Sequence, residues 1–407
     1  MNNSANYVII IGAGPAGLAA AIAAASNGHK VLVLEHLPSA GRKLLASGAG
    51  KCNITNILNA DEMAERFAPE QSRFVRRVLL SFPNEKLLNF FRERGVSFKL
   101  VDDFYYFPVT DRANDLLDVL LKELSFLGVE LLCKSSCIDI EIKDNKVISV
   151  STKQKKYPCK HLIISTGGPG YPALGGGNSI TPILEKAKHK PIVRLPALTQ
   201  LKSPSLPEGL LSGMVLDKAV LSLDKKNSTC GTLLFTLDGI SGPCALDISG
   251  RVSRLLHEGH KVTLYCNFLP EVDVRGKFEE FRQTSGKREM RFFLTSLLPK
   301  KLAEFLGDKL NISDVKAANL ASKSRDELIL HLTAFPMVIS STGNFDKAMC
   351  TTGGVARNEI IQSTLQSKII ENLSFAGEVI DVDGPCGGYN IQWAFSSGFL
   401  AGSSICK

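Results

Sequence analysis

Aromatic residues are scarce in this sequence, and internal repeats and low-complexity linkers are absent from it. Of the 407 residues, 7% are aromatic and one is tryptophan, which argues against an aromatic-lined groove for carbohydrate or single-stranded nucleic acid. Hydrophobic residues make up 44% and charged residues 22%, so we expect a globular chain with a buried core rather than a disordered one. This length predicts roughly two to three domains.

Closely paired cysteines are also lacking. The ten cysteines include no C-x-x-C pair, which excludes the spacings of zinc ribbons and dithiol redox centres, and we predict no metal site. Scattered cysteines without a disulfide framework favour a reducing compartment. No secretory signal is visible before the first predicted strand, and we therefore expect a cytoplasmic protein.

The uncharged stretch Val8–Ala25 is 18 residues long, a length that approaches a membrane span. It contains Gly12, Gly14, Pro15 and Gly17, which a strand, a tight turn and a helix explain better. We therefore predict no membrane segment.

The formal net charge is +8. Such a mild basic excess permits an anionic partner such as RNA, a nucleotide or an acidic metabolite, although an ordinary basic surface is the simpler explanation. RNA would bind the basic segments 73–94 and 282–301, the second of which has six Lys and Arg against one Glu. We expect no DNA partner.

The hydrophobic pattern predicts alternating strands and helices. We expect a Gly- and Ser-rich loop at 39–56 and two helices between 60 and 94. Strands are expected at 7–11, 30–34, 129–133, 139–143, 146–152 and 161–165, a hairpin at 98–108, and helices at 15–27 and 112–127.

The composition changes near Pro191. Short strands and prolines fill about 194–265, helical patterns fill about 266–340, and glycine-rich segments return after 341. We therefore predict an α/β domain made of residues 1–193 and 341–407. An insert at 194–340, with a β subdomain and an α-helical subdomain, interrupts it.

The first motif with a chemical meaning is Gly12-x-Gly14-x-x-Gly17, which follows a predicted strand and opens a helix. Its glycines permit a tight turn, a close approach of the backbone to a pyrophosphate, and close helix packing. The helix N-terminus offers free N–H groups to the phosphates. Glu35 ends the second predicted strand, where a carboxylate accepts hydrogen bonds from ribose hydroxyls. A dinucleotide is the predicted ligand.

Distant segments favour FAD over NAD. The strand LSFAGE ends in Glu378, which is suited to a ribityl hydroxyl, and a helix expected to begin near Tyr389 would aim its N–H groups at the flavin. Thr166, Gly167 and Gly168 follow another strand and resemble a crossover beside the flavin. Since no second complete glycine motif is present, a dedicated NAD(P)H domain is not expected.

The order of these motifs resembles the BaiN-like family of FAD-binding proteins, also labelled aminoacetone oxidase-like. The similarity spans nearly the whole chain and is carried by GAGPAGLAAA, GRKLLASGAGKCNITN, YYFPVTDRA, LIISTGG, LPALTQL, LLFTLDGISGP, TTGGV and FAGEVIDVDGPCGGYNIQWAFSSG. The resemblance implies a Rossmann-like FAD domain with an insert. Together with the motifs it gives candidate cofactor contacts at Gly12, Gly14, Pro15, Ala16, Gly17, Glu35, His36, Arg42, Lys43, Ser47, Gly48, Asn53, Thr166, Gly167, Gly168, Gly377, Glu378, Asp383, Gly387, Gly388, Tyr389 and Asn390.

Activities in this family differ, so the resemblance defines the cofactor better than the substrate. We expect ene-type reduction of a conjugated C=C with NAD(P)H as reductant, of a small molecule or of uridine in ribosomal RNA. Cys52, Cys386 and Tyr389 are the candidate proton donors. The alternatives are oxidation of a small amine or aminoketone, and a flavin-loaded RNA-binding factor without turnover.

Two positions depart from the family pattern. Leu237 stands where a His is expected, and Asn178 stands in a loop where Gly-Asp is commoner. If the family His serves the substrate, the first departure implies a different activity, and the second implies altered handling of a nucleotide by that loop.

Overall fold

A computed structural model describes residues 6–406. The chain divides into two compact units. The first contains the described residues up to Leu195 together with those from Ala348 onward, and the second is Pro196–Lys347. That residues 194–340 fold as a separate unit remains a proposal, which limited proteolysis can test.

The strands in chain order are β1 (Tyr7–Ile11), β2 (Val31–Leu34), β3 (Thr55–Asn56), β4 (Phe98–Val101), β5 (Tyr105–Pro108), β6 (Glu130–Leu132), β7 (Asp139–Lys143), β8 (Lys146–Ser151), β9 (Lys156–Ile164), β10 (Ile192–Ala197), β11 (Leu201–Lys202), β12 (Val215–Ser222), β13 (Ser228–Phe235), β14 (Gly239–Ser241), β15 (Val262–Asn267), β16 (Phe335–Ile339), β17 (Ser341–Thr342), β18 (Cys350–Gly354) and β19 (Leu373–Phe375).

The α-helices are α1 (Pro15–Ser26), α2 (Arg42–Ala46), α3 (Ala60–Ala64), α4 (Pro69–Ser81), α5 (Asn84–Arg92), α6 (Ala113–Phe126), α7 (Thr181–Lys186), α8 (Pro243–His257), α9 (Val274–Ser285), α10 (Met290–Leu297), α11 (Lys300–Lys309), α12 (Ser322–Thr333) and α13 (Tyr389–Ser403). Short 3₁₀ turns occur at Ser47–Gly50, Pro172–Leu174, Ala317–Asn319, Arg357–Glu359 and Gly377–Val379.

The central sheet of the first unit has the strand order β6-β2-β1-β9-β8-β7, and β19 pairs with β9. The pairs β6-β2, β2-β1, β1-β9 and β9-β19 are parallel. β1 from Val8 onward and all of β2 are buried, as expected where helices cover both faces of a parallel sheet. The carboxyl ends of β1, β2, β9 and β19 therefore meet at one edge, where ligands bind in open α/β sheets.

The two ends of the chain meet in a pair of tightly packed helices. A Cβ atom added to Gly398 would collide with the carbonyl oxygen of Ala16, and one added to Gly402 with that of Ala20. Glycines four residues apart lie on one helix face and allow this close approach. The packing of α13 on α1 brings the last segment of the chain to the first glycine motif.

The second unit is built on an antiparallel sheet of order β16-β15-β12-β13-β14-β11-β17. Its core includes the fully buried Phe235, Phe278, Phe293 and Phe335, which come from strands and from helices α9 and α10. Helix α8 begins at Pro243, inside the region where only short strands and turns were expected.

The α/β class with a Rossmann-type domain is confirmed, and most predicted elements of the first unit are present within two residues of their expected bounds. Two details differ. Three helices, α3–α5, replace the predicted pair, because Pro69 and Pro83 interrupt the backbone hydrogen-bonding pattern. The predicted loop 39–56 contains α2, a 3₁₀ turn and β3.

Candidate cofactor site

The turn between β1 and α1 shows a different requirement at each of its three glycines. Gly12 has φ 100°, and an added Cβ would lie 2.7 Å from the Ser165 carbonyl oxygen. A Cβ on Gly17 would collide with the Gly12 carbonyl oxygen. A Cβ on Gly14 would meet no atom within 4 Å. Protein packing thus explains why glycine is needed at positions 12 and 17. At Gly14 the space is open, so a ligand phosphate can approach the backbone closely there.

Glu35 is a buried carboxylate at the end of β2, with 6% of its surface exposed. Its Oε2 accepts a hydrogen bond from the Ala13 N–H at 2.8 Å, and its Oε1 accepts one from the Leu37 N–H at 2.8 Å. Burial raises the pKa of Glu35, but hydrogen bonds from His36, Leu37 and Ala13 outweigh this and lower it overall. The ionised carboxylate therefore orders the glycine turn and keeps further lone pairs, which fit the predicted contact with ribose hydroxyls.

A cavity of about 590 Å³ adjoins this turn, and all the residues that line it belong to the first unit. Its volume is in the range of cofactor and ligand sites. The predicted cofactor residues that line it are Gly12, Gly14, Pro15, Ala16, Glu35, His36, Arg42, Lys43, Ser47, Thr166, Gly167, Gly377, Glu378 and Asn390. These come from segments more than 300 residues apart in the sequence, so the fold assembles a single site from both ends of the chain.

The remaining predicted cofactor residues lie outside this lining. They are Gly17, Gly48, Asn53, Gly168, Asp383, Gly387, Gly388 and Tyr389. Gly388 has a structural role, because it is the N-cap of α13 with φ 86° and an added Cβ would lie 2.7 Å from Thr55 Cα. The Asn53 Oδ1 is a buried atom without a hydrogen-bond partner in the described part of the chain.

Lys43, in α2, contacts the segments that follow β9 and β19. Its Nζ donates to the Gly168 carbonyl oxygen at 2.8 Å and lies 3.9 Å from Glu378 Oε2. The other carboxylate oxygen of Glu378 and the hydroxyls of Thr166 and Thr351 are buried without partners among residues 6–406. Because buried polar atoms are almost always hydrogen-bonded, these groups fit the hydroxyls of a bound ribityl chain.

Helix α13 presents its N-terminus to the same cavity through Asn390 and Ile391. The Asn390 side chain accepts from the Gly384 N–H at 2.8 Å and donates to the Gly384 carbonyl at 2.9 Å, which fixes the loop before the helix. A 15-residue helix has partial positive charge at this end. That end suits the flavin pyrimidine, which becomes more negative on reduction.

None of the three predicted proton donors lines the cavity. Cys52 is fully buried, and burial raises the pKa of its thiol to about 12. Tyr389 is 5% exposed and packs edge-on against Phe67, and Cys386 is half-buried. Cys350 does line the cavity, 3.6 Å from Asn390 Oδ1, and burial raises the pKa of its thiol well above the ordinary value.

Sequence reasoning missed two parts of the wall, which are Ser135–Ile138, after β6, and the start of α7 with Ile180, Pro182 and Ile183. The loop at 170–179 was predicted to cover the pocket or to hold nicotinamide phosphates, and its residues Leu174, Gly175, Gly177 and Ser179 line the cavity. No local signal marks residues 135–138, whose position depends on β6 lying beside β2 in the sheet.

The family model described as "HI0933-like protein Rossmann domain" matches residues 6–404. Among curated proteins, 3-dehydro-bile acid Δ4,6-reductase of Clostridium scindens is 32% identical over 411 residues, covering 99% of both chains. Ribosomal RNA dihydrouridine synthase of Haemophilus influenzae is 30% identical over 407 residues, covering 98% of both chains. That of Escherichia coli is 29% identical, covering 98% of this chain and 97% of its own.

Solved flavoenzymes share the fold. The 3-ketosteroid-Δ4-(5α)-dehydrogenase of Rhodococcus jostii has a TM-score of 0.50 and 16% identity, covering 99% of this chain and 97% of its own. The FrdA chain of E. coli quinol fumarate reductase has a TM-score of 0.52 and 15% identity, covering 98% of this chain and 69% of its own.

Within residues 6–406, no helix is both long enough and apolar enough to cross a membrane. The glycine turn, the buried acid and the cavity agree with the match of the family model, and so does the predicted resemblance to BaiN-like proteins. The chain belongs to the HI0933-like family of Rossmann-fold, FAD-dependent oxidoreductases.

Proposed function

We propose that this protein reduces a C=C bond conjugated with a carbonyl group, with NAD(P)H as the source of electrons. The observation that carries the proposal is the full-length similarity to a protein named as a bile acid Δ4,6-reductase. The relatives named as dihydrouridine synthases support the same reaction type, because formation of dihydrouridine saturates a C=C beside a carbonyl.

The residues of the chain have separate tasks in this reaction. FAD held in this site would supply the hydride that the β-carbon of the substrate accepts. Gly14 leaves room for the pyrophosphate, Glu35 holds the adenosine ribose, and Glu378 holds the ribityl chain. The N-terminus of α13 stabilises negative charge on the flavin pyrimidine.

The α-carbon of the substrate takes up a proton from a weak acid, which must be neutral at the working pH. Cys52, Cys386 and Tyr389 remain the predicted donors. We add Cys350 to them because it lines the cavity and its raised pKa keeps the thiol protonated near neutral pH. Substituting each cysteine by Ala and Tyr389 by Phe should slow substrate reduction in one case only, with FAD content unchanged.

Uridine in ribosomal RNA is the second candidate substrate, favoured by the two relatives named for it. Three of the six predicted RNA-binding cations in 282–301 form ion pairs within the described part of the chain. Arg282 pairs with Glu279 at 2.9 Å, Lys300 pairs with Glu304 at 3.7 Å, and Arg291 pairs with Glu289 at 2.7 Å and also with Asp314. These pairs offset only part of the charge that could attract phosphates, so our preference for a small molecule rests on the reductase relative.

Anaerobic mixing of the FAD-loaded protein with NADH and then NADPH tests the proposal. We expect one of them to bleach the flavin absorbance, and a steroid-like conjugated enone to restore it. With deuterated reductant, the product should carry deuterium at the β-carbon and a solvent proton at the α-carbon. Failure of both nucleotides to reduce the flavin, or peroxide formation from a small amine without them, would overturn the proposal.

The RNA candidate needs its own measurement. Nucleoside analysis of ribosomal RNA from cells with and without the gene should show equal dihydrouridine if the substrate is small. A loss of dihydrouridine in the deletion strain would make uridine the substrate.

A further inference from the structure

His36 follows β2 and covers part of the Glu35 carboxylate. Its Nδ1 lies 3.0 Å from Glu35 Oε1, the oxygen that also accepts a hydrogen bond from the Leu37 N–H at 2.8 Å. The other oxygen, Oε2, accepts one from the Ala13 N–H at 2.8 Å. A carboxylate has about four lone-pair sites, two on each oxygen. Three of the four sites of Glu35 are therefore filled, and both sites of Oε1 are among them.

This arrangement leaves too few sites for a whole ribose. The adenosine ribose has two neighbouring hydroxyls, on its 2′ and 3′ carbons. If each hydroxyl donates to a different oxygen of Glu35, one lone pair on each oxygen must be open. Oε2 has an open site, whereas Oε1 has none while His36 stays in contact. The Leu37 N–H belongs to the backbone, so the imidazole of His36 is the group that has to move.

The imidazole is free to leave the carboxylate. Both His36 and Glu35 line the cavity, but 49% of the His36 side chain is exposed against 7% for Glu35. Within residues 6–406, the contact with Glu35 is the only hydrogen bond or ion pair of His36. A Cβ atom added to Gly175 would lie 3.2 Å from the imidazole Cε1, so the glycine leaves space beside the ring. Rotation of an exposed side chain is fast and needs no change of the backbone.

We propose that His36 competes with the adenosine ribose for Glu35 Oε1, so that FAD gains its second ribose contact only when the imidazole leaves the carboxylate. The inference rests on the proposed contact between Glu35 and the ribose. An imidazolium pairs with a carboxylate more strongly than a neutral imidazole does, so His36 competes best at low pH. The affinity for FAD is thereby linked to the charge of one side chain in the wall of its own site.

The direction of this linkage follows from the groups around the ring. The hydrogen bond with Glu35 is the main cause that raises the pKa of His36 above its ordinary value of 6.5, against opposing effects of burial and of the Lys43 charge. The loop beside the ring contributes Gly175, which has no charge. An imidazole displaced by FAD returns toward its ordinary pKa. Between the two values only the flavin-free protein holds the proton, so FAD binding releases it and the affinity rises with pH.

Calorimetric titration of the flavin-free protein, in two buffers with different heats of protonation, measures the released protons. We expect FAD, and also ADP, which has the same ribose, to release a fraction of a proton. The affinity should rise roughly two- to fivefold over about pH 6 to 8. Of 2′-deoxy-ADP and 3′-deoxy-ADP, the one that lacks the hydroxyl for Oε1 should release no proton, because Oε2 accepts the remaining hydroxyl without displacing His36.

Three variants assign the effect to His36. His36→Ala removes the competitor and should bind FAD with one affinity over this pH range, at least as tightly as the wild type at its upper end. His36→Asn retains an uncharged donor and should also bind without releasing a proton. His260→Ala is the matched control, because His260 is another exposed histidine beside a carboxylate, 3.6 Å from Glu258 in the second unit. It should keep the wild-type profile.

Proton release that persists in His36→Ala would overturn the proposal. Weaker FAD binding by His36→Ala would overturn it as well, since His36 would then be a direct contact of FAD and not a competitor. Glu35→Ala separates this failure from failure of the ribose contact. If Glu35→Ala binds FAD like the wild type, the ribose contact itself is wrong. If it binds FAD weakly while His36→Ala keeps the wild-type pH profile, only the role of His36 is wrong.

Discussion

Replacement of Glu35 by Ala should weaken FAD binding without unfolding the protein. The variant loses the carboxylate that we propose accepts hydrogen bonds from the adenosine ribose, and one charge-assisted hydrogen bond is worth roughly 1.5–3 kcal/mol. At about 1.4 kcal/mol per decade, this corresponds to roughly ten- to a hundredfold in affinity. The Ala13 and Leu37 N–H groups also lose their acceptors, which costs about 1–3 kcal/mol for each group left buried and unpaired.

These two effects are separable. Thermal unfolding of the flavin-free protein reports the lost backbone contacts, and titration with FAD reports the lost ribose contact. Glu93→Ala, at an exposed position after α5, is the matched control and should alter neither. If Glu35→Ala binds FAD as tightly as the wild type, our assignment of the ribose contact is wrong.

The same residue predicts a pH dependence. The pKa of Glu35 is lower in the folded protein than its ordinary value of 4.5. Its contribution to stability is therefore complete above that ordinary value and is lost as the pH falls through the lowered, folded-state pKa. FAD retention in the wild type should fall over this acidic range, and the fall should be smaller in Glu35→Ala.

Three further predictions concern the cofactor and the two units. Gly14→Ala should fold normally but retain less FAD, whereas Gly17→Ala should lower the melting temperature, because only the second Cβ collides with protein backbone; equal melting temperatures would contradict this. Acid precipitation should release the flavin into the supernatant, since we expect non-covalent binding, and colour left on the washed pellet would refute it. Limited proteolysis should cut near 191–200 or 335–345 first, and early cuts within β1 or α13 would count against an insert that folds separately.

The parts of the fold that are determined by residues close together in the sequence were predictable. β1, the glycine turn, α1 and β2 follow from a short segment in which hydrophobic periodicity and glycine spacing agree. The helices between 60 and 94 were harder to divide, because Pro69 and Pro83 are compatible with helix starts as well as with kinks.

The cavity wall was predictable only where a motif marks it. Glu378 and Asn390 belong to motifs, but Cys350 does not stand out in the sequence. Its burial results from contacts between distant segments, such as the pairing of β10 with β18. Chemistry that depends on burial becomes visible only once those contacts are known.

Titration of the flavin-free protein with FAD, FMN and ADP tests the central claim most directly. We propose that the β1–α1 turn and Glu35 bind the adenosine diphosphate half of FAD. A single FAD should therefore bind per chain, ADP should displace it competitively, and FMN should bind far more weakly. FMN binding as tightly as FAD, or FAD binding that is insensitive to ADP, would contradict the account.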